Sequence, residues 1–425
     1  MRHASFPDGV TRDDLVRWYR RGRALTEKVF SIPVPDAYYD QPIPLRNPIV
    51  FYEGHLPAFN VNTLMKLALK CHGIDERYEV LFARGIDPES VDAMKPATDV
   101  WPSRDEVRAY AARADAMVEE ALLKAPIDDG REPQRVNAEA AFAILEHEQM
   151  HQETLLYMFH EMAYAKKVHR WPLTVDRGSV FSSVNGQRST VNIPGGVVSL
   201  GATNWFGWDN EFPPHQVDVA DFTVDRDSVT NGQFLDYVNA TGAAPPHFWT
   251  RRDGAWHWRG LFETVPLPLD WPAWVTHEQA TAYAAWRGGR LMSEGEYQRA
   301  AFGTPSGAER MYPWGDEYPD ATRGNFAFAN WNPVPVGSYP AGASAWGVND
   351  LTGNGWEWTS TIFDGFEGFR PMSSYPQYSV DFFDRKHYVM KGGSPATAPE
   401  LIRRSFRNWF RPNYPYVYAK FRCAV

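Results

Sequence analysis

The run Glu146-His147-Glu148-Gln149-Met150-His151-Gln152-Glu153 sets two imidazoles four residues apart within a stretch of helical apolar periodicity. That spacing puts both rings on one helical face, where they can share a metal ion. Neutral imidazole suits Fe, Zn, Cu and Ni, so the pair alone does not choose among them. Pairs of this kind also occur by chance on solvated helices. Because Glu148 follows the first His, the stretch is a literal HExxH match, which in zinc metalloproteases supplies two ligands and a general base. A third candidate ligand is His55, in Phe51-Tyr52-Glu53-Gly54-His55-Leu56-Pro57, where Gly54 allows close approach. The bland reading of His55 is a histidine satisfied at a helix start. The remaining histidines have no paired spacing and read as structural or exposed.

Helices must position these rings. Apolar residues recur at spacings of three and four over Asp13–Phe30, Asn60–Cys71, Ser103–Leu123 and Asn137–Tyr164, with His55 near the start of the second segment. Ser103 and Glu106 have capping-box spacing, and Asn137 reads as a helix start. Four such segments predict an antiparallel bundle with inward-facing ligands. The helical period ends over Lys166–Arg188, which divides the chain into a bundle over 1–170, a linker over 171–190 and a second domain over 191–425. The second domain is rich in Gly, Pro, Trp and Asn, with short strand-like pieces at Gly196–Leu200, His215–Val219 and His387–Met390 and one helical stretch, Thr276–Arg287. This grammar predicts an α+β protein whose second domain is compact and irregular, held together by the 17 Trp that fall mostly after residue 200.

At 425 residues the chain is long for one core, and 44% apolar with 22% charged residues is ordinary globular composition. No stretch is apolar and long enough to span a bilayer, and the start lacks a secretory pattern, so the expectation is a soluble cytoplasmic protein with no membrane partner. Cys71 and Cys423 are too few for a disulfide framework and too far apart to read as a zinc site. A net charge of −9 argues against nucleic acid and for a small-molecule substrate.

Gly54-His55 and His147-Glu-Gln-Met-His151-Gln-Glu together resemble the iron-binding module of the DinB-like bundle in ergothioneine-type sulfoxide synthases. A separate series resembles the formylglycine-generating-enzyme fold, which is C-type-lectin-like. It runs through Trp208-Asp-Asn-Glu-Phe-Pro-Pro-His215, Val229-Thr-Asn231, Gly289-Arg-Leu291, Tyr312-Pro-Trp-Gly315, Asp350-Leu-Thr-Gly-Asn-Gly-Trp-Glu-Trp358, Gly392-Gly-Ser394 and Phe421-Arg422. The resemblance implies that His55, His147 and His151 hold Fe(II) facially, leaving positions for O₂, a thiol or selenium donor and the imidazole of hercynine (Nα-trimethylhistidine). It implies C–S bond formation, or C–Se in the related selenoneine synthases, and displaces the zinc-hydrolase reading. It does not carry the oxidase activity of formylglycine-generating enzymes. Those use paired cysteines after Gly-Gly-Ser, whereas Pro395-Ala-Thr-Ala-Pro399 follows here and Cys423 reads as a packed thiol.

Arg407-Asn408-Trp409 resembles the family stretch whose amide and aromatic residue approach hercynine, an amide suiting a carboxylate and an aromatic face a quaternary ammonium. The equal alternative for Trp409 is core packing. Phe410 and Tyr414 stand where one branch has the acidic and basic residues that recognise γ-glutamyl-cysteine, and Met150 stands where that branch has a Gln on hercynine. A proton-donating tyrosine is expected, with Tyr375 and Tyr378 as candidates, and Arg84 and Arg404 are candidates for the donor. Asn349, Asp350 and Asn354 are candidates to organise a loop, with Ca²⁺ as a cation their oxygens suit.

Overall fold

The computed structural model describes residues 10–83, 101–168, 189–203 and 206–425. The chain divides into two compact units. The first takes in Met1–Arg170 with the short pieces Asn204–Phe206 and Met372–Pro376, and the second holds the rest. The expected linker falls mostly outside the described residues.

In the first unit, α1 (Arg12–Val29) opens on a Thr11–Asp14 capping box. It is followed by α2 (Ile49–Asn60), a π-helical segment over Val61–Ala68, and the short α3 (Glu76–Leu81). α4 (Arg104–Lys124) starts at the expected Ser103–Glu106 capping box, and α5 is Glu139–Glu161. α1 and α2 each pack against both α4 and α5, which makes the four-helix arrangement. Each residue of α2 is buried, the polar Glu53, His55 and Asn60 among them, as in a helix central to its bundle.

The second helix thus begins at Ile49, well before the expected Asn60, and His55 lies in its middle. The reason is that Gly54 and Pro57, residues that disfavour a helix interior, are adaptations of a central helix. A Cβ on Gly54 would lie 2.5 Å from the Phe82 ring, so only glycine admits that ring here. Pro57 costs one helical N–H but does not stop the helix, which continues into the wider π turns. Asn137 is not the cap of α5. It and Ala138 take left-handed φ values of 54° and 52°, and the helix starts after them.

In the second unit, β1 (Thr190–Ile193) pairs with β4 (Phe222–Asp225). β2 (Gly196–Leu200) and β3 (His215–Val219) pair antiparallel with Gly196 opposite Val219. β5 (Trp249–Arg252), β6 (Ala255–Arg259) and β7 (Thr264–Pro266) form a meander. The main sheet has the order β10-β9-β8-β11, built from β8 (Trp356–Ile362), β9 (Tyr388–Lys391), β10 (Asn408–Phe410) and β11 (Ala419–Lys420), with only β11 parallel to its neighbour. Besides the expected α7 (His277–Trp286), helices α6 (Asn231–Thr241) and α8 (Glu294–Phe302) are present. Neither was expected, though both open on capping boxes, Thr230–Gln233 and Ser293–Glu296.

Tryptophan fills this core. Trp208, Trp258, Trp274, Trp356 and Trp358 are among the largest fully buried side chains. Trp274 stacks on Tyr418 at 4.3 Å, and its indole donates to the Asn354 carbonyl at 3.1 Å. Between β8 and the C-terminal strand, the fully buried Glu357 accepts from Lys420 at 2.6 Å and from Arg422 at 2.8 Å, so this interior charge is matched on both oxygens.

Candidate metal centre

His147 and His151 leave α5 one turn apart, and their Nε2 atoms stand 3.1 Å from each other. Two nitrogens on one ion, with bonds of about 2.1 Å set about 90° apart, would stand about 3.0 Å apart. His55, from α2, brings its ring centre to 5.2 Å from His147 and 5.0 Å from His151. One ligand nitrogen from each of the three residues lies within 4.8 Å of the others, the only such group of three His, Cys, Asp or Glu among the described residues. Burial pushes the His55 imidazole down to about 4. Burial, with the neighbouring ring charges added, holds His147 and His151 well below the ordinary value. All three are therefore neutral near pH 7, the form in which imidazole binds metal. Three neutral nitrogens this close together fit a transition ion.

The rings are held by their surroundings. His55 Nδ1 lies 2.8 Å from the Phe82 carbonyl, which selects the tautomer with Nε2 free to bind. Phe51 and Phe59, one turn before and after His55, stack on His55 at 5.1 Å and on His147 at 3.6 Å. Sequence reasoning missed both, although Phe51, His55 and Phe59 repeat at a spacing of four.

Glu148 departs from the HExxH expectation. A general base must face the metal-bound water, but the Glu148 carboxylate is buried against α1, where Oε1 accepts from Arg23 Nη1 at 2.8 Å and from Thr26 Oγ1 at 2.6 Å. Gln152, one turn on, donates to the Gly22 carbonyl at 2.9 Å and to Thr26 at 3.0 Å. Arg23 also reaches Asp115 on α4 at 2.9 Å. Glu148 is a tie between helices, and the zinc-hydrolase alternative loses its base.

Of the two candidate tyrosines, Tyr375 lies in the first unit, its ring edge-on to His147 at 6.3 Å and to Phe59 at 5.4 Å. Its segment is pinned to the start of α5, because Ser373 Oγ and Ser374 N donate to Glu139 Oε1 at 2.8 and 2.7 Å. Tyr378 belongs to the second unit, where it stacks on Trp208 at 4.0 Å and meets Trp409 edge-on at 5.2 Å. Trp409 is stacked face to face on Phe363 at 4.1 Å, and Asn408 Oδ1 accepts from the Trp409 N–H at 2.8 Å. Phe410 and Tyr414 stack on each other at 4.7 Å. Met150 is half-buried on α5.

Arg404 pairs with Glu309 at 2.7 Å and donates to the Ser199 carbonyl at 3.1 Å, so its guanidinium ties elements of the second unit together. Arg84 lies outside the described residues. The residues named for Ca²⁺ make hydrogen bonds within the second unit. Asn354 Oδ1 accepts from Val334 N at 2.9 Å, Asn349 Nδ2 donates to Asp227 at 2.8 Å, and Asp350 accepts from Gly337 N at 2.6 Å. Burial raises the Asp350 carboxyl above its usual range. Cys423 is buried and Cys71 exposed, both as free thiols.

Comparison with known proteins matches residues 19–155 to the DinB superfamily and residues 179–425 to the sulfatase-modifying factor enzyme 1-like domain. The chain is thus a DinB-type helical bundle joined to a sulfatase-modifying-factor-like domain. It is 34% identical over 349 residues to a hercynine oxygenase of Mycolicibacterium smegmatis, covering 75% of this chain and 77% of that protein. It is 30% identical over 421 residues to ergothioneine biosynthesis protein 1 of Schizosaccharomyces pombe, covering 90% of this chain and 52% of that protein, so it spans about half of that fungal relative. A formylglycine-generating enzyme of Mycobacterium tuberculosis is 30% identical over 272 residues, covering 50% of this chain and 89% of that protein. The chain belongs to the ergothioneine-type sulfoxide synthase family, that of the hercynine oxygenases.

Proposed function

We propose that this protein forms a C–S or C–Se bond at the imidazole ring of hercynine, using Fe(II) and O₂, in ergothioneine or selenoneine biosynthesis. The observation that carries the proposal is the convergence of three buried neutral imidazoles in a chain related to a hercynine oxygenase. Iron held by His55, His147 and His151 would supply what zinc cannot, a redox-active centre for O₂ and the donor. For a thiol donor, the imidazole C–H and the S–H break and the C–S bond forms. One atom of O₂ ends on sulfur and the other leaves as water.

The chain's own groups have separate tasks in this reading. Phe51 and Phe59 keep water from the imidazoles. Tyr375, whose ring meets His147 edge-on, holds a proton at its phenol oxygen, and O₂ reduction consumes protons. Asn408, whose amide oxygen already accepts from Trp409 N, keeps its NH₂ for a carboxylate, and Trp409 offers an aromatic surface to a trimethylammonium group. The stacked Phe410–Tyr414 pair recognises a donor without an ion pair at those two positions. Two free thiols suit a reducing, cytoplasmic compartment.

The test is anaerobic loading with Fe(II), addition of hercynine with each candidate thiol or selenium donor in turn, then O₂. We expect one donor to give oxygen consumption and a product whose mass joins donor and hercynine. Absence of oxygen consumption with every donor would end the proposal.

A further inference from the structure

The three rings are anchored in two different ways. His55 Nδ1 has the Phe82 carbonyl at 2.8 Å, whereas the Nδ1 atoms of His147 and His151 are buried with no hydrogen-bond partner among the described residues. An imidazole bonded only through Cβ can turn about χ2, and an ion must lie in the ring plane along the Nε2 lone pair. Something other than a hydrogen bond must therefore fix the His147 plane. Phe59 lies face to face with that ring, centre to centre at 3.6 Å and 13° from parallel. It is buried on α2 one turn after His55, so one helix carries both a ligand and the restraint on another ligand. Tyr375 meets Phe59 and His147 edge-on and closes the stack.

We infer that Phe59 is a positioning residue for the metal centre, setting the plane of His147 by ring stacking in place of the hydrogen bond that orients His55. The inference rests on the reading that the three histidines bind a metal. A flat hydrocarbon face also offers Nδ1 no acceptor, so His147 is left a weaker donor to the ion than a carbonyl- or carboxylate-supported imidazole.

Cobalt(II), whose visible bands report ligand geometry, provides the test without turnover. Wild type, Phe59→Leu and Phe59→Tyr are titrated with Co(II), with a thermal melt for each. We expect Phe59→Leu to weaken binding about tenfold and shift the bands, and Phe59→Tyr, which keeps the flat face, to restore both. Phe59→Leu with wild-type affinity and bands would overturn the inference. So would Phe59→Tyr failing as badly as Phe59→Leu, since bulk and not the ring face would then be at issue. Should Phe59→Leu not fold, Phe59→Met against Phe59→Tyr makes the same comparison. Wild type failing to bind Co(II) would overturn the metal reading itself, a result distinct from either failure of Phe59.

Discussion

Replacing Glu148 by Gln separates the tie between helices from a general base more cleanly than any other change. In the protein, Oε1 takes two hydrogen bonds, from Arg23 and Thr26, and an amide oxygen at the same place can take both. What is lost is the charge on one of them. Charge-assisted bonds contribute about 1.5–3 kcal/mol and neutral ones about 0.5–1.5, and the new NH₂ replaces Oε2, buried with no hydrogen-bond partner among the described residues, at about 1 kcal/mol or more, so the change should cost about 2–3 kcal/mol. Arg23 keeps Asp115 at 2.9 Å, so no buried cation is stranded. The reverse change, Arg23→Met, leaves the buried Glu148 without its cation and should cost more, about 3–5 kcal/mol. The assay is urea unfolding of both variants with Co(II) binding and oxygen consumption beside it. The expected pattern is modest destabilisation of Glu148→Gln with metal binding and turnover retained, and a larger loss of stability in Arg23→Met. A Glu148→Gln protein that is stable and metal-loaded yet inactive would refute the reasoning and restore a base role to Glu148.

Tyr375→Phe should leave stability and metal affinity near wild type while lowering turnover by about 10²–10⁴, read from single-turnover rates; unchanged turnover would take the proton from Tyr375. Gly54→Ala should cost about 1–3 kcal/mol and weaken Co(II) binding, because the new Cβ lands 2.5 Å from the ring of Phe82, whose carbonyl holds His55. His277, which bonds the Thr359 carbonyl at 3.0 Å and stacks on Tyr388, is pushed by burial from the ordinary 6.5 down to about 4. The unfolded chain binds its proton across that window and the folded chain does not. Stability should therefore fall as pH drops from 6.5 towards about 4, by at most about 3 kcal/mol, and level off below. Comparing urea midpoints of wild type and His277→Phe at pH 7 and pH 5 isolates this part, and an identical pH slope in the two would refute it.

The two α5 histidines were legible because a helix turns their spacing of four into shared position, a local rule that needs no tertiary contact. His55 was legible as a residue but not as a mid-helix ligand. Gly54 and Pro57 look like breakers until the Phe82 ring is in place, and that ring comes from another segment. The same limit hid α6 and α8. Their apolar faces are short, and only the capping boxes at Thr230 and Ser293 mark them in the sequence. The role of Glu148 was hidden for a related reason. The HExxH spacing fixes where its side chain leaves the helix, but Arg23 and Thr26, far away in sequence, decide what it meets.

Local spacing sets which groups can bind an ion, and long-range packing sets whether they are held to it. The paired motif gives two nitrogens 3.1 Å apart in any regular helix with suitable rotamers. Their planes, their burial and the approach of His55 as a candidate third ligand depend on Phe51, Phe59 and Phe82, none of which belongs to the HExxH motif. The residues proposed for the donor follow the same logic in reverse. Phe410 and Tyr414 read as the replacement of one branch's charged pair, and they stack on each other at 4.7 Å while Tyr414 meets Tyr416 at 5.2 Å, so aromatic rings stand where that branch has charges. Restoring charge there, Phe410→Asp with Tyr414→Arg, would break that stack, and recognition of γ-glutamyl-cysteine should not follow from the two substitutions alone.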